Sequence, residues 1–221
     1  MLDRTPADGA EALSRTRAAR PGQVMAALDL GTNNCRLLIA RQGNSGFQVI
    51  DAFSRIVRLG EGVSQSGALS SAAMDRTIEA LKVCSAKMQR RSVSLMRSVA
   101  TEACRRAANG LEFLERTRAE TGVDLEIITT SEEAKLAFSG CMPQLDRARP
   151  YAIVFDIGGG STELGWIHLV QGGHPRIIAW HSMPLGVVAL TEHYGAEPPP
   201  NESAAELYQR MVDDVQDCPA R

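Results

Sequence analysis

Three consecutive glycines in FDIGGGSTELG (155–165) stand between an aspartate and a Ser-Thr-Glu run. Glycine loses more conformational freedom on folding than any other residue, so a run of three implies a task for the backbone. A turn between antiparallel strands lets several N–H groups converge on one phosphate with no Cβ in the way. Gly158, Gly159 and Gly160, with the hydroxyls of Ser161 and Thr162, suit that task. A weaker form occurs upstream in LDLGTNNCRLL (28–38), where Gly31, Thr32, Asn33 and Asn34 could form a matching turn. Asp29 and Asp156 close the strands that lead into the two turns. Carboxylates there would repel a phosphate unless a divalent cation lies between, and Mg2+ uses one or two carboxylates plus phosphate oxygens. Asp29, Asp156 and Glu163 are therefore the candidate metal ligands. Either motif alone is more often a plain tight turn; their matched positions carry the reading.

The elements around these turns repeat. Short apolar segments at 24–30, 35–41 and 46–54 are separated by Gly/Asn-rich turns, with RQGNSG as a hairpin signal, and the third alternates as a half-buried strand does. Residues 69–91 then carry Met74, Ile78, Leu81 and Met88 at helical spacing, with Ser70 or Ser71 as N-cap. A strand (92–101), a helix stopped by Gly122 (110–122), a strand (123–129) and a helix capped by Ser131 (131–140) follow. Past RARP (147–150) the pattern restarts, with strands at 151–157, 161–170 and 176–185 and helical patterns at 186–195 and 202–216. The order βββα thus appears twice, with Asp29-x-Gly31 falling on Asp156-x-Gly158 127 residues later. The reading is α/β, with a disordered tail over 1–22, a first domain over 23–146 and a partial second domain over 147–221. By this internal comparison the second domain lacks its last strands, which reads as a truncated chain with an unprotected sheet edge and an uncovered sheet face.

Composition narrows the function classes. The chain is 44% hydrophobic and 23% charged, as ordinary globular domains are, and its net charge of −2 argues against a nucleic-acid polymer as partner. No apolar run approaches the ~20 residues that span a bilayer, so no membrane partner is expected. Five scattered cysteines with no CxxC pair read as reduced thiols in a cytoplasmic protein. His168, His174, His181 and His193 lack zinc-ligand spacing.

The segments ALDLGTNNCRLLIA, VRLGEGV, SVATEACRRAANG, IITTSEEAKLAFSG, VFDIGGGSTELG and MPLGVVALTEHYG stand in the order of the exopolyphosphatase / guanosine pentaphosphate phosphohydrolase family. The chain resembles that family over about residues 24 to 196. The resemblance implies duplicated actin-like (ribonuclease H-like) βββαβαβα domains of the actin–sugar kinase–Hsp70 superfamily, the second incomplete, with the site in the cleft between them. It implies Mg2+-dependent removal of the terminal phosphate of inorganic polyphosphate, or of the 5′-phosphate of guanosine pentaphosphate. The family's catalytic glutamate falls on Glu133, proposed to orient and deprotonate the attacking water. By its residues alone Glu133 is more readily a first-turn glutamate that satisfies the helix dipole, and the family match is what favours the catalytic role. Arg105 matches the family's phosphate-facing arginine, and Arg58 in VRLGEG is a weaker anion contact. DLGTNN departs from the usual D-x-G-S-N-S, though Thr32 and Asn34 still hydrogen-bond, and Thr130 replaces a glycine ahead of the Glu-Glu-Ala run. Full-length members often dimerise, which leaves a homodimer open. An actin-superfamily kinase or ATPase and a non-catalytic phosphate-binding fragment stay as alternatives.

Overall fold

The computed structural model describes residues 20–195 and 197–217. The tail expected over 1–22 falls almost wholly outside that range, as does Cys218. Among the described residues the chain divides into two compact units, one ending at Ile128 and the other beginning at Thr129.

The first unit opens with β1 (Val24–Leu30), β2 (Asn34–Gly43) and β3 (Gly46–Ile56), an antiparallel meander. Helix α1 (Val63–Ser66) precedes α2 (Ser71–Arg90), which crosses over to β4 (Leu95–Ala100), parallel to β1. Helices α3 (Glu102–Arg106) and α4 (Gly110–Thr121) lead to β5 (Glu126–Ile127), giving the sheet order β3-β2-β1-β4-β5. This is the actin-like arrangement expected from the sequence. Ser70 caps α2 by accepting from the Ala73 N–H, and Gly122 ends α4 at φ 71, a left-handed turn that glycine adopts without strain. Alternate β1 and β2 residues (Leu28, Leu30, Cys35, Leu37, Ile39) share one core with Ile78, Leu81 and Cys84 of α2 and Phe113 of α4. Each such aliphatic or aromatic side chain contributes about 1.5–3 kcal/mol when fully buried. Two expectations shift. β3 is mostly exposed rather than half-buried, since only Ile50 and Phe53 reach the core. The strand read over 123–129 pairs with β4 at two positions alone, Glu126 and Ile127, while Val123 and Leu125 pack in the core ahead of it.

The second unit begins with α5 (Thr130–Cys141), followed by a 3-10 turn and the antiparallel sheet β6 (Tyr151–Ile157), β7 (Thr162–His168) and β8 (Arg176–Met183). Ala134 and Phe138 of α5 pack with Val154, Ile167 and Leu169. Gly165 makes room for the Phe138 ring: a Cβ there would sit 2.4–2.7 Å from three ring atoms. Hence packing assigns α5 to the second unit, whereas the sequence places the boundary at 146. Helices α6 (Val187–Tyr194) and α7 (Ala204–Gln216) follow; Ser203 and Glu206 form a capping box at α7, and Tyr194 bonds Asp214. The duplication extends to the helices. At 127 residues beyond the buried α2 positions Ala80, Leu81, Cys84 and Met88 stand Leu207, Tyr208, Met211 and Val215 of α7. Coverage does not repeat, since Phe155 and Ile157, counterparts of the buried Leu28 and Leu30, are each 65% exposed. The uncovered face expected from the sequence is therefore present.

Candidate functional site

Both glycine turns close with the same hydrogen bond. The Gly31 N–H donates to the Asn34 carbonyl (2.9 Å), and 127 residues later the Gly158 N–H donates to the Ser161 carbonyl (2.8 Å). Neither glycine takes a left-handed φ; Gly158 serves close approach, since a Cβ there would stand 3.0 Å from the Ser161 oxygen, whereas a Cβ on Gly31 would meet the Asn34 oxygen at an ordinary 3.6 Å.

Each turn is held from outside by the segment that leaves the third strand. In the first unit, the Val57 and Arg58 N–H groups donate to the Asn33 carbonyl (2.8 and 3.0 Å) and the Gly60 N–H to the Thr32 carbonyl (2.9 Å). In the second, Val187 donates to Gly158 (3.1 Å) and Val188 to Gly159 (2.9 Å). Leu59-Gly60 and Leu185-Gly186 are the paired dipeptides behind these contacts. Gly60 lies against the Thr32 side chain and Gly186 against the Gly159–Gly160 peptide, so a Cβ at Gly60 would have to displace a side chain and one at Gly186 the turn backbone itself. The anchoring has a direct consequence. In a planar trans peptide the carbonyl and the following N–H point in opposite directions. Tying down the Gly158 and Gly159 carbonyls turns the Gly159 and Gly160 N–H groups away from the buttress. The Thr32 and Asn33 carbonyls do the same for the N–H groups of Asn33 and Asn34. A row of N–H groups aimed one way is the kind of arrangement that can receive an anion.

The hydroxyls differ in availability. The Thr162 Oγ1 donates to the Leu185 carbonyl (2.7 Å), so its proton ties turn to buttress, while Ser161 is buried. Carboxylates flank the second turn: Asp156 and Glu163 are direct cross-strand partners, and such pairs share a face with Cβ atoms about 5 Å apart. Asp156 is exposed; Glu163 is buried and accepts from the Ser182 hydroxyl at 2.8 Å. Among the described residues no group of three or more His, Cys, Asp or Glu side chains could cage a metal. Two adjacent carboxylates beside an N–H-rich turn fit Mg2+ completed by phosphate and water oxygens. The sequence treats Asp29 as the equivalent of Asp156, yet its cross-strand partner is Arg36, whose guanidinium lies 4.0 Å away. The two aspartates therefore meet opposite charges.

Glu133 stands in the first turn of α5. The cap is Thr129, not Ser131: Thr129 is extended and its hydroxyl accepts from the Glu132 N–H at 3.2 Å, while Thr130 and Ser131 are already helical. With three successive hydroxyl residues, backbone geometry and not residue type chooses the cap. Packing gathers Glu133, Asp156, Glu163 and residues 158–162 in the second unit, and Asp29, residues 31–34, Arg58 and Arg105 in the first.

Arg105 is engaged within its own unit. Its Nε and Nη2 donate to Glu102 (3.1 and 2.5 Å) and its Nη1 to the Ile128 carbonyl (2.7 Å). The sequence missed Glu102, although its i,i+3 spacing on a helix was a readable signal. Arg106 is more exposed and only 4.0 Å from Glu102. Arg58 is exposed with φ 49, a left-handed conformation that costs a non-glycine residue on the order of 1 kcal/mol.

Cys35 and Cys84 meet in the core with their sulfurs 3.9 Å apart. Their mutual hydrogen bond and burial push the Cys35 thiol up, and burial raises Cys104 to about 12. A hollow of about 450 Å3 among Ser85, Gln89, Ser92 and Met96 lies at the opposite end of β4 from the turns. No described helix is long and apolar enough to cross a membrane.

Residues 38–220 match the model of the Ppx/GppA phosphatase family. Exopolyphosphatase 2 of Mycobacterium tuberculosis is 36% identical over 197 residues, covering 85% of this chain and 60% of its own. The solved Aquifex aeolicus PPX-GPPA enzyme matches at 32% identity with a TM-score of 0.68, over 88% of this chain and 62% of that one. A solved exopolyphosphatase from Cytophaga hutchinsonii matches at 26% identity and a TM-score of 0.77, over 88% and 61%. The chain thus spans about three-fifths of these relatives.

Proposed function

The chain belongs to the Ppx/GppA phosphatase family, and from that premise we propose that it takes part in hydrolysing the terminal phosphoanhydride bond of inorganic polyphosphate. The observation that carries this reading is the doubled turn whose carbonyls are anchored and whose N–H groups are thereby aimed outward. Polyphosphate presents many equivalent phosphate oxygens, and neutral N–H donors replace its hydration without demanding a base or sugar. The 5′-phosphate of guanosine pentaphosphate offers the same anhydride chemistry and is the second substrate class we infer.

Gly159, Gly160 and Ser161 would hold phosphate in the second unit, and Gly31, Thr32, Asn33 and Asn34 form the corresponding phosphate-holding turn of the first. Asp156 and Glu163 would hold Mg2+, which when bound neutralises phosphate charge and stabilises the leaving oxygen. Glu133 would orient the attacking water and accept its proton, so that water oxygen bonds phosphorus as the bridging P–O bond breaks. In the first unit Arg105 would supply positive charge to a bound phosphate, from a guanidinium whose position Glu102 and the Ile128 carbonyl fix.

The test is phosphate release from long-chain polyphosphate and from guanosine pentaphosphate with Mg2+, for the wild type and Glu133→Ala. Release that the substitution abolishes while polyphosphate binding persists supports the reading. Binding without turnover in both proteins overturns it in favour of a non-catalytic phosphate-binding module.

A further inference from the structure

The two turns are buttressed by the same kind of segment, but the segments are secured differently. In the second unit Leu185-Gly186 runs straight into α6, whose first N–H groups make the contacts to Gly158 and Gly159. In the first unit no helix begins at that point, since α1 starts at Val63, and the arch Val57–Gly60 bends through the left-handed Arg58. A side chain from α2 secures it instead. Arg76 Nε donates to the Val57 carbonyl (2.8 Å), and its Nη2 donates to the Arg58 carbonyl (3.2 Å) and to Glu61 (2.8 Å).

We propose that Arg76 is a positioning residue for the first anion-binding turn. Its effect passes through two peptide planes. The Val57–Arg58 peptide offers its carbonyl to Arg76 and its N–H to the Asn33 carbonyl. The Asn33–Asn34 peptide, held by that contact, has its own N–H directed the opposite way. Arg76 also grips the Arg58 carbonyl, so the one left-handed residue of the arch is fixed on both sides. Glu61 balances the guanidinium charge and sets its plane, which makes Arg76 a brace for the arch and not an anion ligand. Lysine cannot substitute, because one ammonium cannot reproduce the fixed fork that Nε and Nη2 present to successive carbonyls. Residue 203, which stands 127 positions later, is a serine that caps α7, so the brace belongs to the first turn alone.

The catalytic part of this inference rests on the polyphosphate reading; the structural part does not. The experiment therefore has two readouts on the full chain, for wild type, Arg76→Met, Arg76→Lys and Glu61→Gln. Amide hydrogen exchange should accelerate about tenfold or more at Val57, Arg58 and Gly60 in both Arg76 variants, with the β1–β4 ladder unchanged. Glu61→Gln, which loosens the fork without deleting it, should give the same pattern at smaller amplitude. In Mg2+-polyphosphate hydrolysis, KM should rise about tenfold for Arg76→Met with kcat within roughly twofold, because the turn grips ground state and transition state alike. Unchanged exchange at the three amides overturns the proposal, as does exchange that rises equally throughout the sheet. A fall in kcat at constant KM also overturns it. Should the wild type release no phosphate, the functional reading fails while the exchange pattern still decides the role of Arg76.

Discussion

Replacing Gly186 by alanine puts the anchored-turn account under direct strain. The backbone at Gly186 is extended (φ −138, ψ 171), which alanine adopts freely, so any effect comes from the added methyl alone. That methyl would stand 2.4 Å from the Gly159 carbon, 2.5 Å from its oxygen and 2.6 Å from the Gly160 nitrogen. Carbon contacts relax only near ~3.5 Å, so the Gly159–Gly160 peptide must retreat by about 1 Å. Overpacking of this kind costs about 1–3 kcal/mol of stability, and misplacing a binding group by ~1 Å can lower turnover by about 10²-fold. Gly60→Ala is the internal control. Its methyl would meet the Thr32 Cγ2 at 2.3 Å, a side-chain atom that can move by χ1 rotation at about 0.5–1.5 kcal/mol without displacing the turn backbone. Steady-state phosphate release with parallel thermal melts should rank the variants. The expected loss in kcat/KM is about 100-fold for Gly186→Ala and under tenfold for Gly60→Ala. Equal losses, the reverse order, or a fully active Gly186→Ala would refute the idea that the buttress sets the turn.

Three further outcomes follow from named contacts. Glu102→Gln should tighten polyphosphate binding roughly fivefold at low salt, about 1 kcal/mol, by unmasking the Arg105 charge, as equilibrium titration would show. Hydrogen bonds from Lys87 and Arg91 pull the Asp51 carboxyl down to about 2, below its unfolded value, so its contribution to stability is full above pH ~4 and is lost as pH falls towards 2. Asp51→Asn should accordingly flatten the acid limb of a denaturation series over that window. Among the described cysteines, a thiol reagent followed by peptide mapping should mark Cys141 first, because Cys35, Cys84 and Cys104 are buried.

Where local signals were strong, the fold was legible. The meanders, the ends of β1 and β6, the Gly122 stop and the 127-residue repeat all follow from alternation, turn residues and capping chemistry. What escaped the sequence is tertiary. The partition of α5 depends on which sheet meets the Ala134–Phe138 stripe, and a single amphipathic pattern names no partner. Arg76 reaches Val57 across 19 residues, and no spacing rule reports such a contact. The candidate anion residues were readable as types, but the anchoring of their carbonyls by Val57–Gly60 and Val187–Val188 was not. Likewise the pairing of Asp29 with Arg36, against that of Asp156 with Glu163, appears only once strand register is fixed.

The most direct test of the central claim is a Mg2+ titration of phosphate release from long-chain polyphosphate by the wild type and Asp156→Asn. If the cross-strand carboxylates and the glycine turn share one metal-neutralised phosphate, the substitution should raise the half-saturating Mg2+ concentration by about tenfold or more, with activity partly restored at high Mg2+. An unchanged Mg2+ dependence at an unchanged rate would contradict the claim.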